Sequence, residues 1–253
     1  MVRNGDLVEV STRDGVAVLR LDDPDHRNAL SVEMSEQLSD AVERVVGLNV
    51  GAIVLAARPP VFCSGGSLDD LLTSTVPLED RFRGFLALAK SPIPTIAAIG
   101  GPIVGAGVNL ALACDVVLTT PNARFDPRFL DLGLHPGGGH IWRMQRAIGP
   151  QATAALVLFG ETLDGREAVQ VGLAWRCVDP DALESTALAL GRRAAGRPSP
   201  VVRRTVETMR ESMTIGDPSA AFRLELDAQR WSMEQPTFVE LVRAKRQAIA
   251  RRM

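Results

Sequence analysis

From Ser91 to Cys114 the chain carries no Asp, Glu, Lys or Arg, and this stretch constrains the fold more than any other. A run of that length without charge is long enough to cross a bilayer as one helix. Pro92, Pro94, Gly100, Gly101, Pro102, Gly105 and Gly107 interrupt it, and proline and glycine at such intervals break a regular helix. The stretch therefore reads as a buried strand at Thr95–Ile99, a tight turn and a buried helix from Gly105 to Ala113, inside the core of a water-soluble protein. A chain of 253 residues can enclose such a core without disulfides or metal.

The flanking sequence has the period expected of layered α/β structure. Leu7–Val10 and Val16–Leu21 are β-rich runs joined across Asp14-Gly15, a hairpin signal. Ser31 can cap a helix whose Met34, Leu38, Ala41, Val42 and Val45 share one face, with Gly47 closing it. Ala52–Ala56 is a continuous apolar run that suits a strand buried on both faces. A helix over Glu79–Ala89 and a strand at Val116–Thr119 extend the alternation, which predicts largely parallel strands. Beyond Arg124 the pattern becomes helical: Gly137–Ile148, Gln151–Phe159, Arg166–Val171, Ala182–Ala195, Pro200–Glu211, Ala220–Trp231 and Pro236–Arg252, with one short strand at Ala174–Val178. The last sixty or so residues read as a helical appendage able to pack on itself or on a neighbouring subunit.

Several functions are excluded early. Twenty-eight basic against thirty acidic side chains leave a formal charge of −2 without a basic stripe, so nucleic acid is not an expected partner. Cys63, Cys114 and Cys177 are odd in number and widely spaced, and read as reduced thiols of a cytoplasmic protein. Met1–Asp6 lacks the apolar segment of a secretory signal. The histidines His26, His135 and His140 show no zinc-type spacing, and no metal is expected. A GxxxxGK[ST] phosphate loop is missing, Ser64 is not framed as G-x-S-x-G, and Gly105-Ala106-Gly107 has Leu110 where a dinucleotide fingerprint needs its third glycine.

Two glycine-rich turns carry the chemical signal: Val61-Phe62-Cys63-Ser64-Gly65-Gly66-Ser67-Leu68 and Gly100 through Leu110. Small residues where a strand gives way to a helix leave backbone N–H groups free to meet an anion. Two such turns converging would make an oxyanion hole. Glycines at these positions also serve close packing or tight turns, and the sequence leaves both readings open.

In order and spacing, the motifs resemble the crotonase, or enoyl-CoA hydratase/isomerase, superfamily over nearly the whole chain. The residues that carry the resemblance are Asp25-His26-Arg27-Asn28-Ala29-Leu30, Phe62-Cys63-Ser64-Gly65-Gly66, Pro94–Ala98 leading into Gly105-Ala106-Gly107, and Cys114-Asp115. Phe125, Leu132 through Gly139, and Ala168 with Gly172-Leu173 complete the set. The resemblance implies an α/β spiral of β-β-α repeats over 1–195 that binds an acyl-CoA thioester, and a helical oligomerisation segment over 196–253 in a homotrimer or hexamer. It implies no cofactor beyond the coenzyme A of the substrate. It places the thioester oxygen between the amides of Gly66 and Ala106, and assigns coenzyme A or substrate contacts to Arg27, Ala29, Ser64, Gly65 and Gly105.

The departures from the pattern bear on chemistry. The two glutamates that hold and activate water in the family's hydratases fall on Asn109 and Phe129, and a third seat for an acid falls on Gly137. An amide has no useful basicity near neutral pH, and Phe129 offers only an apolar face. His135 and Asp131 are the replacement candidates, His135 because imidazole titrates near neutrality. Asp69 and Asp70, after the first turn, are placed to line an acyl tunnel or simply to start a helix. Near the C-terminus Ala244-Lys245 replaces the family's usual Ala-Phe. Three readings follow: a lyase or isomerase with an unusual acid/base group, a protein that holds acyl-CoA without turning it over, and a reaction such as decarboxylation that needs only the oxyanion hole.

Overall fold

A tight turn starts the fold. Asp14 and Gly15 both adopt positive φ, 52° and 75°, which returns strand β1 (Val8–Arg13) antiparallel onto β2 (Val16–Leu21). The computed structural model describes residues 5–251, so the leading residues of the Met1–Asp6 stretch and Arg252 lie outside the described residues. Helix α1 (Val32–Gly47) follows, its Met34 amide donating to Ser31 Oγ at 3.0 Å. The residues expected on its inner face, Met34, Leu38, Ala41, Val42 and Val45, are all buried.

Next come β3 (Ala52–Ala57), α2 (Leu68–Thr73), a 3₁₀ turn at Asp80–Phe82, α3 (Arg83–Lys90) and β4 (Thr95–Ile99). The uncharged stretch then continues through β5 (Pro102–Val104) into α4 (Gly107–Ala113), and β6 (Val116–Thr119) follows. Strand β5 corrects the expectation of a helix from Gly105. Pro102–Val104 pairs in parallel with β7 (Arg124–Asp126), and the helix starts only after the turn at Gly105 and Ala106. Tertiary pairing across about twenty residues creates β5 and β7, which no local period announces. Helix α2 realises the helix start that Asp69 and Asp70 offered, and Ser67 caps it by accepting from Asp70 N.

Helix α5 (His140–Phe159) begins after Gly137–Gly139 rather than within them, and at Gly149 its backbone leaves helical geometry, with φ 77° and ψ 172°. The two helices expected there are joined by this break. Strand β8 (Leu163–Asp164), α6 (Gly165–Val171), β9 (Arg176–Cys177) and α7 (Leu183–Ala195) follow. The main sheet has the order β1-β2-β3-β4-β6-β9, parallel from β2 onward, and β5-β7-β8 form a second sheet. The chain thus steps from one sheet to the other and on to a helix, β4-β5-α4 and then β6-β7-α5, which is the expected β-β-α spiral. Two apolar layers enclose the main sheet: Val18, Val54, Ile96 and Leu118 pack with Leu188 of α7, whereas Leu19, Ile53 and Leu55 pack with α1 and α3.

The chain divides at Ala195/Gly196 into two compact units. The second contains α8 (Ser199–Ser212), α9 (Pro218–Met233) and α10 (Pro236–Ala250), and Phe222, Phe238, Leu241 and Val242 are exposed on it. Among the described residues no helix is long and apolar enough to cross a membrane.

Candidate active site

Backbone pairing brings the two glycine-rich turns together. Cys63 bridges Ile103, its N–H donating to Pro102 O at 3.3 Å and its carbonyl accepting from Val104 N at 2.9 Å. Leu30 bridges Gly66 in the same parallel manner: Leu30 N donates to Gly65 O at 2.7 Å and Ser67 N to Leu30 O at 3.0 Å. That register spends the groups on either side of Gly66 and leaves its own N–H out. On the second turn Gly105 N donates to Asp126 O at 2.9 Å, and Ala106 follows at the entrance to α4. Among the described residues, neither the Gly66 nor the Ala106 amide donates to a protein acceptor, and both residues are half-buried.

Glycine permits this approach. A Cβ on Gly65, whose φ is 103°, would lie 3.1 Å from Val104 O and 3.8 Å from Ala106 N. One on Gly107 would lie 2.9 Å from Cys63 Sγ. Close packing, one of the two readings the sequence left open, is what Gly65 and Gly107 serve here. A pair of preorganised N–H donors in a partly dry site suits an oxygen that gains negative charge during reaction. Cys63 lies beneath the turn, fully buried, and burial pushes its thiol up to about 12, so it is not a nucleophile.

The residues expected to meet coenzyme A converge on the same place. Asn28 is fully buried; its Oδ1 accepts from Asp23 N at 2.8 Å and its Nδ2 donates to Arg58 O and Val61 O at 2.9 and 2.7 Å. This anchors the loop so that Arg27 O accepts from Ser64 N at 3.1 Å, beside Ala29, Gly65 and Gly66. The Arg27 side chain is exposed and available to an anion.

Asn109 lies one turn into α4 from Ala106 and is fully buried. Its Nδ2 donates to Gly137 O at 3.3 Å, and its Oδ1 lies 2.8 Å from Nδ1 of His140. Phe129, buried, sets its ring edge-on to His140 with centroids 5.0 Å apart. His140 is fully buried, and burial lowers its pKa to about 4. Sequence reading considered His140 only as a metal ligand and missed this pairing, because 31 residues separate it from Asn109. The one local signal was a histidine directly after three glycines at a helix start.

The replacement candidates chosen from sequence fare differently. Asp131 stands in a 3₁₀ turn, Leu130–Leu132, and both it and His135 are exposed; no interaction joins either to Asn109 or Phe129. Asp70 has a structural role: its Oδ2 accepts from Val32 N at 2.7 Å at the start of α1, and its carbonyl accepts from Arg81 at 2.9 Å. Asp69 is exposed at the start of α2. At Gly137, where the resemblance leads us to expect a third acid position, a Cβ would lie 3.2 Å from the Phe82 ring.

Comparison with known proteins converges on one family. The enoyl-CoA hydratase/isomerase family model matches residues 11–240. A Mycobacterium tuberculosis protein named "Probable enoyl-CoA hydratase echA14" is 42% identical over 244 residues, covering 92% of this chain and 94% of that protein. The 1,2-epoxyphenylacetyl-CoA isomerase of Escherichia coli is 34% identical, covering 73% of this chain and 74% of its own length. The crystal structure of an enoyl-CoA hydratase from Mycobacterium smegmatis superposes with a TM-score of 0.88 at 26% identity, covering 96% of each chain. The two-sheet spiral, the paired glycine turns and these relatives agree: this chain is a member of the enoyl-CoA hydratase/isomerase family, the crotonase superfamily.

Proposed function

We propose that the chain binds an acyl-CoA thioester with its carbonyl oxygen between the amides of Gly66 and Ala106, and that it performs enolate chemistry rather than ordinary hydration. The observation that carries this reading is the pair of half-buried amides, brought together by glycine turns yet donating to no protein acceptor among the described residues. Removing a proton beside a thioester builds charge on that oxygen, and each such donor is worth roughly 3 kcal/mol of barrier. Arg27, Ala29 and Ser64 border the site where coenzyme A would lie, and the helical unit 196–253 would serve assembly into a trimer or hexamer.

Hydration needs one group to activate water and another to protonate carbon. Asn109 and Phe129, at the two glutamate seats, can do neither. Purified protein should therefore bind butanoyl-CoA in calorimetry, yet hydrate crotonyl-CoA far below the roughly 1 to 1,000 per second of ordinary enzymes. Hydration at such rates refutes the enolate reading, and absence of acyl-CoA binding refutes the whole proposal. Ala106→Pro removes one donor at a residue whose φ of −60° already suits proline. It should lower any turnover about 100- to 1,000-fold.

A further inference from the structure

The geometry points to His140 as the proton acceptor of this site: held by Asn109, its Nε2 removes a proton from the carbon next to the thioester carbonyl. This assignment rests on the acyl-CoA reading above and names the group that does its chemistry.

The hydrogen bonds fix which nitrogen is free. Asn109 Nδ2 donates to the Gly137 carbonyl, so its Oδ1 must be the atom facing His140, at 2.8 Å from Nδ1. A carbonyl oxygen only accepts, so Nδ1 carries the hydrogen, and in the neutral ring the lone pair then lies on Nε2. Among the described residues, His140 Nε2 and Arg204 Nε are the buried side-chain atoms without a hydrogen-bond partner. A buried, unpaired polar atom costs about 1 to 3 kcal/mol. A substrate atom placed at Nε2 supplies the missing partner.

Position supports the same role. His140 touches both residues that stand at the glutamate seats: Asn109 through the hydrogen bond and Phe129 edge-on. Asn109 is three residues beyond Ala106 on α4, about one helical turn from the proposed oxyanion donor. Arg143, on the next turn of α5, is held elsewhere: it donates to Gly138 O at 2.6 Å and lies over the Phe85 ring. Burial keeps the imidazole neutral at neutral pH and so ready to accept a proton. The imidazolium becomes affordable only beside the negative charge of the enolate. His140 is fully buried with Phe129 edge-on to its ring, so the acyl chain reaches Nε2 only when the side chains around the ring move.

In the step, the Cα–H bond breaks and an N–H bond forms at Nε2. The C–H electron pair becomes the enolate double bond, and the carbonyl π pair moves to the oxygen held by Gly66 and Ala106. Nε2 then returns a proton to Cα or, in a 3-enoyl thioester, to the γ carbon, which shifts the double bond into conjugation. One acid/base group suffices and no water is consumed, which sets this chemistry apart from hydration.

The test is deuterium incorporation at Cα of butanoyl-CoA in D2O, and conversion of 3-butenoyl-CoA to crotonyl-CoA, with binding measured separately by calorimetry. Wild type should do both, and His140→Gln should lose at least 100-fold in each, within the usual range for a general base, while binding butanoyl-CoA within threefold of wild type. Binding without exchange in wild type, or exchange in His140→Gln within threefold of wild type, overturns the assignment and leaves the acyl-CoA reading standing. No binding overturns both. Long-range ¹H–¹⁵N NMR of wild type needs no folded variant. It should find His140 protonated at Nδ1 and bare at Nε2 near neutral pH, and the opposite tautomer overturns the assignment.

Discussion

At the scale of single residues, His140 and Asn109 matter to stability as well as to chemistry. The imidazole has an ordinary pKa of 6.5 when solvated and about 4 in the fold. Between those values the unfolded chain binds more protons than the folded one, so stability is complete above about pH 6.5 and declines as pH falls toward 4. The full loss is about 3 kcal/mol from a shift of this size. Urea melts from pH 7 to 4 should show it, and the difference between wild type and His140→Gln should shrink or reverse over that window. A difference independent of pH would mean that the ring titrates alike in the folded and unfolded chain, and would refute the depressed pKa. His140 was legible in the sequence only as a histidine after glycines. Its burial and its partner depend on α4 and α5 meeting, which no local pattern encodes.

At the scale of elements, the site depends on how closely two turns can approach. Gly107 opens α4 directly over Cys63, where a Cβ would also meet the Cys63 carbonyl oxygen at 3.0 Å. Gly107→Ala should force the turns apart, lower the thermal midpoint by several degrees and weaken acyl-CoA binding. Because the obstacle is backbone as well as sulfur, Cys63→Ala should not fully restore binding. Thermal melts and calorimetry on the two variants and their combination check both expectations; full restoration would show that sulfur alone sets the spacing. Elements with a strong period were legible: α1 with its Ser31 cap, the β1–β2 hairpin, and β3, β4 and β6 as apolar runs. The short strands β5, β7 and β8 were not, since each is two or three residues long and exists through its partners.

At the scale of the whole molecule, the helical unit exposes apolar side chains, among them Phe222, Phe238, Leu241 and Val242. A trimer or hexamer predicts a light-scattering mass of about three or six times the 27.1 kDa chain, and Phe238→Glu with Leu241→Glu should reduce it toward the monomer if α10 contributes to the interface. A monomeric wild type would refute the assembly expectation. The sequence by itself determined the α/β alternation, the breaking of the uncharged stretch into strand, turn and helix, the family resemblance, and that an amide, a phenyl ring and a glycine stand at 109, 129 and 137. These are local or ordered patterns, written in periodicity and in glycine and proline. Only the tertiary structure decided that Gly66 and Ala106 are left with unspent amides, that Asp70 accepts from Val32 N at the start of α1, and that His140 meets Asn109 while His135 stays exposed. Those outcomes depend on contacts between residues far apart in the chain, where register, burial and hydrogen-bond direction are set by the packing of whole elements.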